Sequence, residues 1–256
     1  MHEGVDPVSC LSRLSWFPWE QEKPIAVEAD MQAFFFIAVA AVILVVVICG
    51  QIQAAKRKKE LCLWAARLGM SFSETRDSSF DDRYPFSCLT KGDDRYAQNI
   101  CRGRLHDRDA TTFDYHYETH STDGKGHRTT YHHWFSAVMF STQWSLKPLS
   151  IRTENLFDKI GAFFGLEDIN FESAEFSREF CVASPDRRWA FDVLHQETME
   201  FLLASPRFTL EMGGPHVIAY RENTFSVADF EAAANLLAGL LDRIPKTVLE
   251  EAKGTN

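Results

Sequence analysis

Histidines are concentrated in one short part of the sequence, where their spacing could support metal binding. Six of the nine histidines lie between positions 106 and 133. If the segment FDYHYETH forms a β-strand, alternation places four polar side chains on one face, namely Asp114, His116, Glu118 and His120. Imidazole and carboxylate are common ligands of zinc and iron. The candidate metal ligands are therefore His116 and His120, with His132 from a neighbouring strand.

A purely structural role would select the same residues. A half-exposed antiparallel sheet needs one polar face, which aspartate, histidine, glutamate and threonine provide. Residues two apart on a strand are also about 6.5–7 Å apart at the backbone, which is wide for a tetrahedral site. We therefore expect a polar sheet face without a cofactor, and a site for a transition metal such as zinc is the alternative.

The histidines lie in a sequence that predicts a β-hairpin. Between residues 71 and 143, short runs of Phe, Tyr and Thr alternate with clusters of Asp, Gly and Ser, as is typical of strands and turns. Two alternating segments flank the sequence DGKG at 123–126, where glycine permits a tight reversal. Strand-like sequence continues from there towards Pro148.

The second half of the chain mixes helices and strands. Helices are predicted in TENLFDKIGAFFG after a Thr153 cap, in SPDRRWAFDVLHQETMEFLLAS after a Ser184 cap, and in SVADFEAAANLLAGLLDRI after a Ser226 cap. The segment EFSREFCVAS predicts a strand, and RFTLEMGGPHVIAYREN predicts a hairpin that turns at residues 213–215. Because the strands come in hairpins, the expected fold class is α+β with an antiparallel-rich sheet.

An apolar segment near the N-terminus, AFFFIAVAAVILVVVICG, predicts a single transmembrane helix. Its 18 residues cover most of a hydrocarbon core of about 30 Å, and apolar side chains occur all round the helix. A cleavable signal peptide would need basic residues before the apolar run. Here six acidic residues, against only Arg13 and Lys23, precede it.

Basic residues follow the apolar segment and predict its orientation. Lys and Arg beside a span are retained on the cytoplasmic side, so the N-terminus is expected outside and the bulk of the chain in the cytoplasm, at a plasma membrane or bacterial inner membrane. Four basic side chains directly after the apolar segment are also predicted to contact anionic lipid headgroups: Lys56, Arg57, Lys58 and Lys59.

These features predict an order of segments along the chain. A tail at 1–30, disordered or upstream of a true start at Met31, precedes the membrane helix at 31–50, a basic helical stalk at 51–69, an α+β domain at 70–245 and a tail at 246–256. The net charge of −9 argues against nucleic acid as a partner. The sequence also contains no G-x-G-x-x-G, P-loop, H-E-x-x-H or G-x-S-x-G motif, which favours a protein without enzymatic activity.

Several short motifs, in this order, resemble a family of bacterial single-pass membrane proteins. They are the apolar anchor, a basic stalk ending in RLGMSF, the spacing of Asn99 and Gly103, FDYHYET, LSIRTENLFDKI and DINFESAEFSREFCVAS before a closing helix. The resemblance covers about residues 31 to 244. It implies a membrane anchor and a cytoplasmic α+β domain of unknown function, and it implies no catalytic residue.

The sequence therefore favours a membrane-anchored cytoplasmic interaction module with a protein partner. Confinement to the membrane would raise its effective concentration near other membrane proteins. A sensor that binds a metal or small ligand through the histidine-rich hairpin is the alternative. A third possibility is an enzyme whose residues converge only in the folded structure.

Overall fold

The structure, a computed structural model, describes residues 25–153 and 169–252. The helix predicted after Thr153 and most of the predicted N-terminal tail lie outside these residues. The chain forms two compact units, residues 1–53 and residues 54–256.

The first unit contains the apolar helix. Helix α1 runs over Ile25–Arg67, so it extends beyond this unit into the second. Side chains from Phe34 to Ile48 are exposed, and the helix is long and apolar enough, by length and composition, to cross a membrane. The prediction of an apolar N-terminal helix is confirmed.

Helix α1 ends with a glycine in the left-handed conformation. Gly69 has φ +67°. The backbone N–H of Met70 donates to the carbonyl of Ala65 (2.9 Å), and that of Gly69 donates to Ala66 (3.2 Å), which is the Schellman pattern of a helix end.

The second unit is built on a six-stranded sheet in which every pairing is antiparallel. The strands are β1 Ser71–Ser73, β2 Asp93–Leu105, β3 Arg108–Thr122, β4 Arg128–Thr153, β5 Phe180–Ala183 and β6 Thr209–Arg221. Strands β1 to β4 pair in sequence order. One edge of the long β4 pairs first with β3 and then with β5, while the other edge pairs with β6. The α+β fold with an antiparallel sheet is confirmed.

Seven helices are found in the described part of the chain. After α1 come α2 Phe80–Arg83, α3 Ala174–Glu179, α4 Arg187–Val193, α5 Gln196–Ala204, α6 Val227–Arg243 and α7 Lys246–Glu251, and a 3-10 turn lies at Ser87–Leu89. Helix α6 begins as predicted, because Ser226 and Asp229 form a reciprocal capping box. Although burial opposes it, hydrogen bonds from Ser226 and the nearby Arg221 lower the pKa of Asp229.

Three local predictions in the second half are wrong. The predicted hairpin at residues 213–215 is instead the continuous strand β6. The single helix predicted after Ser184 is two helices, α4 and α5, and its cap is Asp186, whose carboxylate accepts from the Trp189 N–H (3.0 Å). The segment predicted as one strand is α3 followed by β5.

Apolar side chains are buried against both faces of the sheet. The larger cluster combines the last turns of α1 with α4, α5 and α6, and includes Leu61, Trp64, Phe230 and Leu237. The second cluster contains aromatic side chains of β3 and β4, together with Phe80 and Phe86 from the segment between β1 and β2. The sheet is therefore covered on both faces over most of its length.

Candidate functional site

The β3–β4 hairpin brings two of the predicted metal ligands together. A five-residue loop at 123–127 joins the strands, and Asp123 and His127 close it through a backbone hydrogen bond of 3.0 Å. With this loop length, Glu118 lies directly opposite His132, and His116 lies opposite Trp134. Directly opposed residues share a face, so His116, Glu118 and His132 lie on one face of the hairpin.

The three side chains converge on a small volume. The His132 Nδ1 atom lies 3.2 Å from the His116 Nε2 atom and 3.1 Å from the Glu118 Oε1 atom. One ligand atom from each residue lies within 4.8 Å of the other two. His116 is buried, Glu118 is half-buried, and the His132 side chain is 60% exposed. The cluster is thus anchored in the sheet and open on the side of His132.

The ring of His116 is oriented by a backbone carbonyl. Its Nδ1 atom lies 3.2 Å from the carbonyl oxygen of Asp94. A carbonyl only accepts, so this hydrogen bond assigns the proton to Nδ1 and leaves the Nε2 lone pair directed at His132.

A β-bulge places that carbonyl. Between the pairs Asp93–Glu118 and Tyr96–His116, β2 has one residue more than β3, and Asp94 there adopts φ +47°. Positive φ is uncommon for residues other than glycine, and bulges frequently redirect groups next to functional sites. The irregularity in β2 is therefore what turns the Asp94 carbonyl towards the imidazole.

Aromatic rings enclose His116 on both neighbouring strands. The centroid of the Tyr96 ring lies 4.7 Å from that of His116, and the Trp134 centroid lies 4.6 Å away. Burial raises the pKa of the Tyr96 phenol, with the guanidinium of Arg76, 4.3 Å from the ring centroid, acting in the opposite direction. His116 therefore has little freedom to rotate.

His120, the third predicted ligand, is not part of this cluster. Its Nδ1 atom lies 3.0 Å from the Thr130 hydroxyl, and its Nε2 atom lies 3.7 Å from Asp93. The third member of the cluster, beside His116 and His132, is instead Glu118, which strand alternation places on the same face. The expectation of a half-exposed polar face is also wrong for Asp114 and His116, because both are buried.

Asp114 is the centre of a second polar network on the same face of β3. Its carboxylate accepts two hydrogen bonds from the Arg57 guanidinium (2.7 and 2.8 Å), one from the Asn99 amide (2.8 Å) and one from the Ser136 hydroxyl (2.5 Å). A second β2 bulge, at Asn99 with φ +49°, supplies the amide. Arg57 Nε also donates to the Phe225 carbonyl (2.7 Å). The network joins α1 to the sheet and to the segment before α6.

The four basic residues predicted to contact lipid therefore have different environments. The guanidinium of Arg57 is engaged inside the domain, and Lys58 forms an ion pair with Glu74. Lys56 and Lys59 are exposed, and Lys56 lies 3.9 Å from Glu60 of the next helical turn. The sequence could not separate Arg57 from its neighbours, because its partner Asp114 is 57 positions away.

Comparison with known proteins gives a structural neighbour. No family model and no curated protein matches the sequence. The fold is similar to the crystal structure of the mycobacterial trehalose monomycolate transport factor A, TtfA, with a TM-score of 0.56 and 12% sequence identity. The match covers 73% of this chain and 96% of that one. At this identity the likeness concerns the fold, and it agrees with the α+β architecture that the sequence motifs implied.

Proposed function

We propose that this chain is a membrane-anchored cytoplasmic module that supports a membrane process by binding a protein partner. The observation that carries the proposal is that α1 supplies both an apolar segment for the membrane and part of the core of the domain. Its first part is apolar and exposed, whereas its last turns, with Leu61, Trp64 and Ala65 buried, are part of the domain core.

The end of the β3–β4 hairpin is the surface we assign to the partner. This ribbon consists of residues 119–122, the loop at 123–127 and residues 128–133. Strand β2 stops pairing at Glu118 and β6 stops at Ser136, so among the described residues the two strands of the ribbon pair only with each other. Such edges offer backbone N–H and C=O groups to an added strand.

An exposed aromatic side chain on the ribbon supports this assignment. Tyr131, opposite Thr119, is 52% exposed. Tyrosine is enriched among residues that dominate binding energy at protein interfaces, because its large ring buries area at low entropic cost while its hydroxyl can hydrogen-bond.

The structural neighbour supports the kind of process. TtfA is, by its name, a factor in the transport of trehalose monomycolate. By analogy of fold, which is weaker support than a shared site, we extend to this chain the role of an accessory factor in transport at a membrane.

Site-specific photo-crosslinking tests the partner surface. A photoreactive amino acid is placed at position 131 or, as a control, at Phe191, an aromatic residue of α4 that is 44% exposed. The full chain is expressed in its membrane and irradiated. We expect a discrete product from position 131, and none from position 191.

The Tyr131→Ala and Phe191→Ala variants provide the affinity measurement. Capture of the crosslinked partner by detergent-solubilised chain should fall about tenfold or more for Tyr131→Ala, as for an interface hot spot, and stay unchanged for Phe191→Ala. Equal products from both positions, or unchanged capture by Tyr131→Ala, would exclude the ribbon as the partner surface.

A further inference from the structure

The cluster of His116, Glu118 and His132 has no part in the anchoring role, and we propose that it binds one zinc ion. The ligand atoms are His116 Nε2, His132 Nδ1 and one oxygen of Glu118. This site is tested separately from the proposed function: His132 lies within the ribbon, but the partner surface is tested at Tyr131 and the zinc site through its ligands.

The distances between the ligand atoms suit zinc. Ligands about 2.0–2.2 Å from a tetrahedral zinc ion are about 3.3–3.5 Å from one another. Two of the three separations, 3.2 and 3.1 Å, are already close to that value. The wide spacing of residues along one strand is no obstacle, because His132 comes from the opposite strand and stands directly across from Glu118.

The protons available to the cluster leave an excess of lone pairs. The Nδ1 proton of His116 is used by the Asp94 carbonyl, so Nε2 offers a lone pair. The ionised Glu118 carboxylate only accepts. If His132 Nδ1 carries a proton, that proton has two acceptors, the Nε2 atom of His116 and the carboxylate of Glu118. If it carries none, it adds a third lone pair to the cluster. A divalent cation at this position satisfies all three groups at once.

The surroundings of the cluster are those of a metal site. A histidine ligand usually donates its other ring N–H to a carbonyl or carboxylate, which fixes its tautomer, and Asp94 does this for His116. The rings of Tyr96 and Trp134 restrain His116 from both sides. His132 is largely exposed, so a water molecule can complete the tetrahedron.

The chemistry of the donors selects the metal. Two imidazole nitrogens with one carboxylate oxygen suit zinc, whereas magnesium and calcium prefer oxygen ligands throughout. Protons compete with zinc for the imidazole nitrogens and the carboxylate, so binding should weaken as pH falls.

Zinc titration of the full chain tests the site. The detergent-solubilised protein, free of any histidine tag, is stripped with a chelator and titrated with zinc chloride against a chromophoric competitor. We expect one equivalent with a dissociation constant on the order of 1 µM or tighter. Cobalt(II) in place of zinc should give the visible absorption of tetrahedral coordination.

Matched variants separate the site from adventitious binding by other histidines. His132→Ala should weaken zinc binding about 100-fold or more, and its exposure makes misfolding a minor concern. His133→Ala, on the opposite face of the same strand and bonded to Thr119, should leave affinity within about twofold. Less than a tenth of an equivalent of zinc bound, unchanged binding by His132→Ala, or equal losses in both variants would overturn the proposal. None of these results bears on crosslinking at position 131.

Discussion

Asp114 shows how much a single buried carboxylate can determine. It receives hydrogen bonds from α1, β2 and β4 at once, through Arg57, Asn99 and Ser136. The Ser136 hydroxyl in turn accepts from the Phe225 N–H (2.8 Å), which precedes the capping box of α6. Helix α1 and strands β2 and β4 therefore meet at one side chain of β3.

Replacing Asp114 with alanine should destabilise the domain strongly. The change leaves the Arg57 guanidinium without its carboxylate in a site that is only 24% exposed. Breaking a buried ion pair typically costs 3–5 kcal/mol, and we expect about 3 kcal/mol here because Arg57 retains some solvent. The free energy of unfolding, measured by denaturant titration of the full chain in micelles, checks this value.

The matched control is Glu60→Ala, which removes the partner of Lys56 in an ion pair whose two side chains are both exposed. Exposed ion pairs contribute between 0 and about 1 kcal/mol, so this variant should unfold almost as the unmodified chain does. If the two variants lost equal stability, Asp114 would not have the central role assigned to it.

Part of the cluster of His116, Glu118 and His132 is predictable from the sequence. Alternation along β3 and the hairpin turn placed His116 near His132. It could not show that a bulge in β2 directs the Asp94 carbonyl at His116, since a bulge depends on the partner strand. Four consecutive basic residues after an apolar helix also look alike in sequence, so the hydrogen bonds between Arg57 and Asp114 are not predictable from it.

At the scale of elements, the spacing of Asn99 and Gly103 on β2 has a physical reason. Asn99 forms the bulge that serves Asp114, and Gly103 lies where Met70 approaches the strand. A Cβ atom at position 103 would lie 2.7 Å from the Met70 Cγ and 3.0 Å from its Cα. The missing side chain lets the end of α1 turn into β1 against β2.

Gly103→Ala should therefore displace the junction between α1 and β1. Overpacking of this kind typically costs 1–3 kcal/mol, and we expect about 2 kcal/mol because a backbone atom, and not only a flexible side chain, must move. Gly124→Ala in the β3–β4 loop is the control, since a Cβ there meets nothing within 4 Å. Unfolding free energies that fall equally, or not at all, would contradict this reading of Gly103.

The failed hairpin prediction at residues 213–215 also has a physical reason. Gly-Gly-Pro is typical of a reversal, but Gly214 lies opposite Leu146, where β4 itself shifts register. The chain therefore continues along β4 through these residues and does not reverse. Proline is tolerated in β6 because, in the described chain, this strand pairs only with β4 and so lies at a sheet edge. The first hairpin and the helix capped by Ser226 were predictable because their signals are local.

For the whole molecule, the charge asymmetry around the apolar segment predicts its orientation. A cluster of four basic residues follows the segment, and acidic residues dominate before it. A reporter fused after Asn256 and expressed in bacteria should therefore behave as cytoplasmic, with a fluorescent protein active and a periplasmic phosphatase inactive. The protein should also remain in the membrane fraction after alkaline extraction.

Neutralising the exposed charges provides the control for this orientation. Arg57 is kept because it binds Asp114, whereas Lys56, Lys58 and Lys59 are replaced by glutamine. Removing three of the four charges weakens the signal that retains this side in the cytoplasm, so phosphatase activity should rise as a second orientation appears. An active phosphatase on the unmodified chain would reverse the proposed topology. An unchanged reporter on the triple variant would show that the folded domain, and not the lysines, determines the orientation.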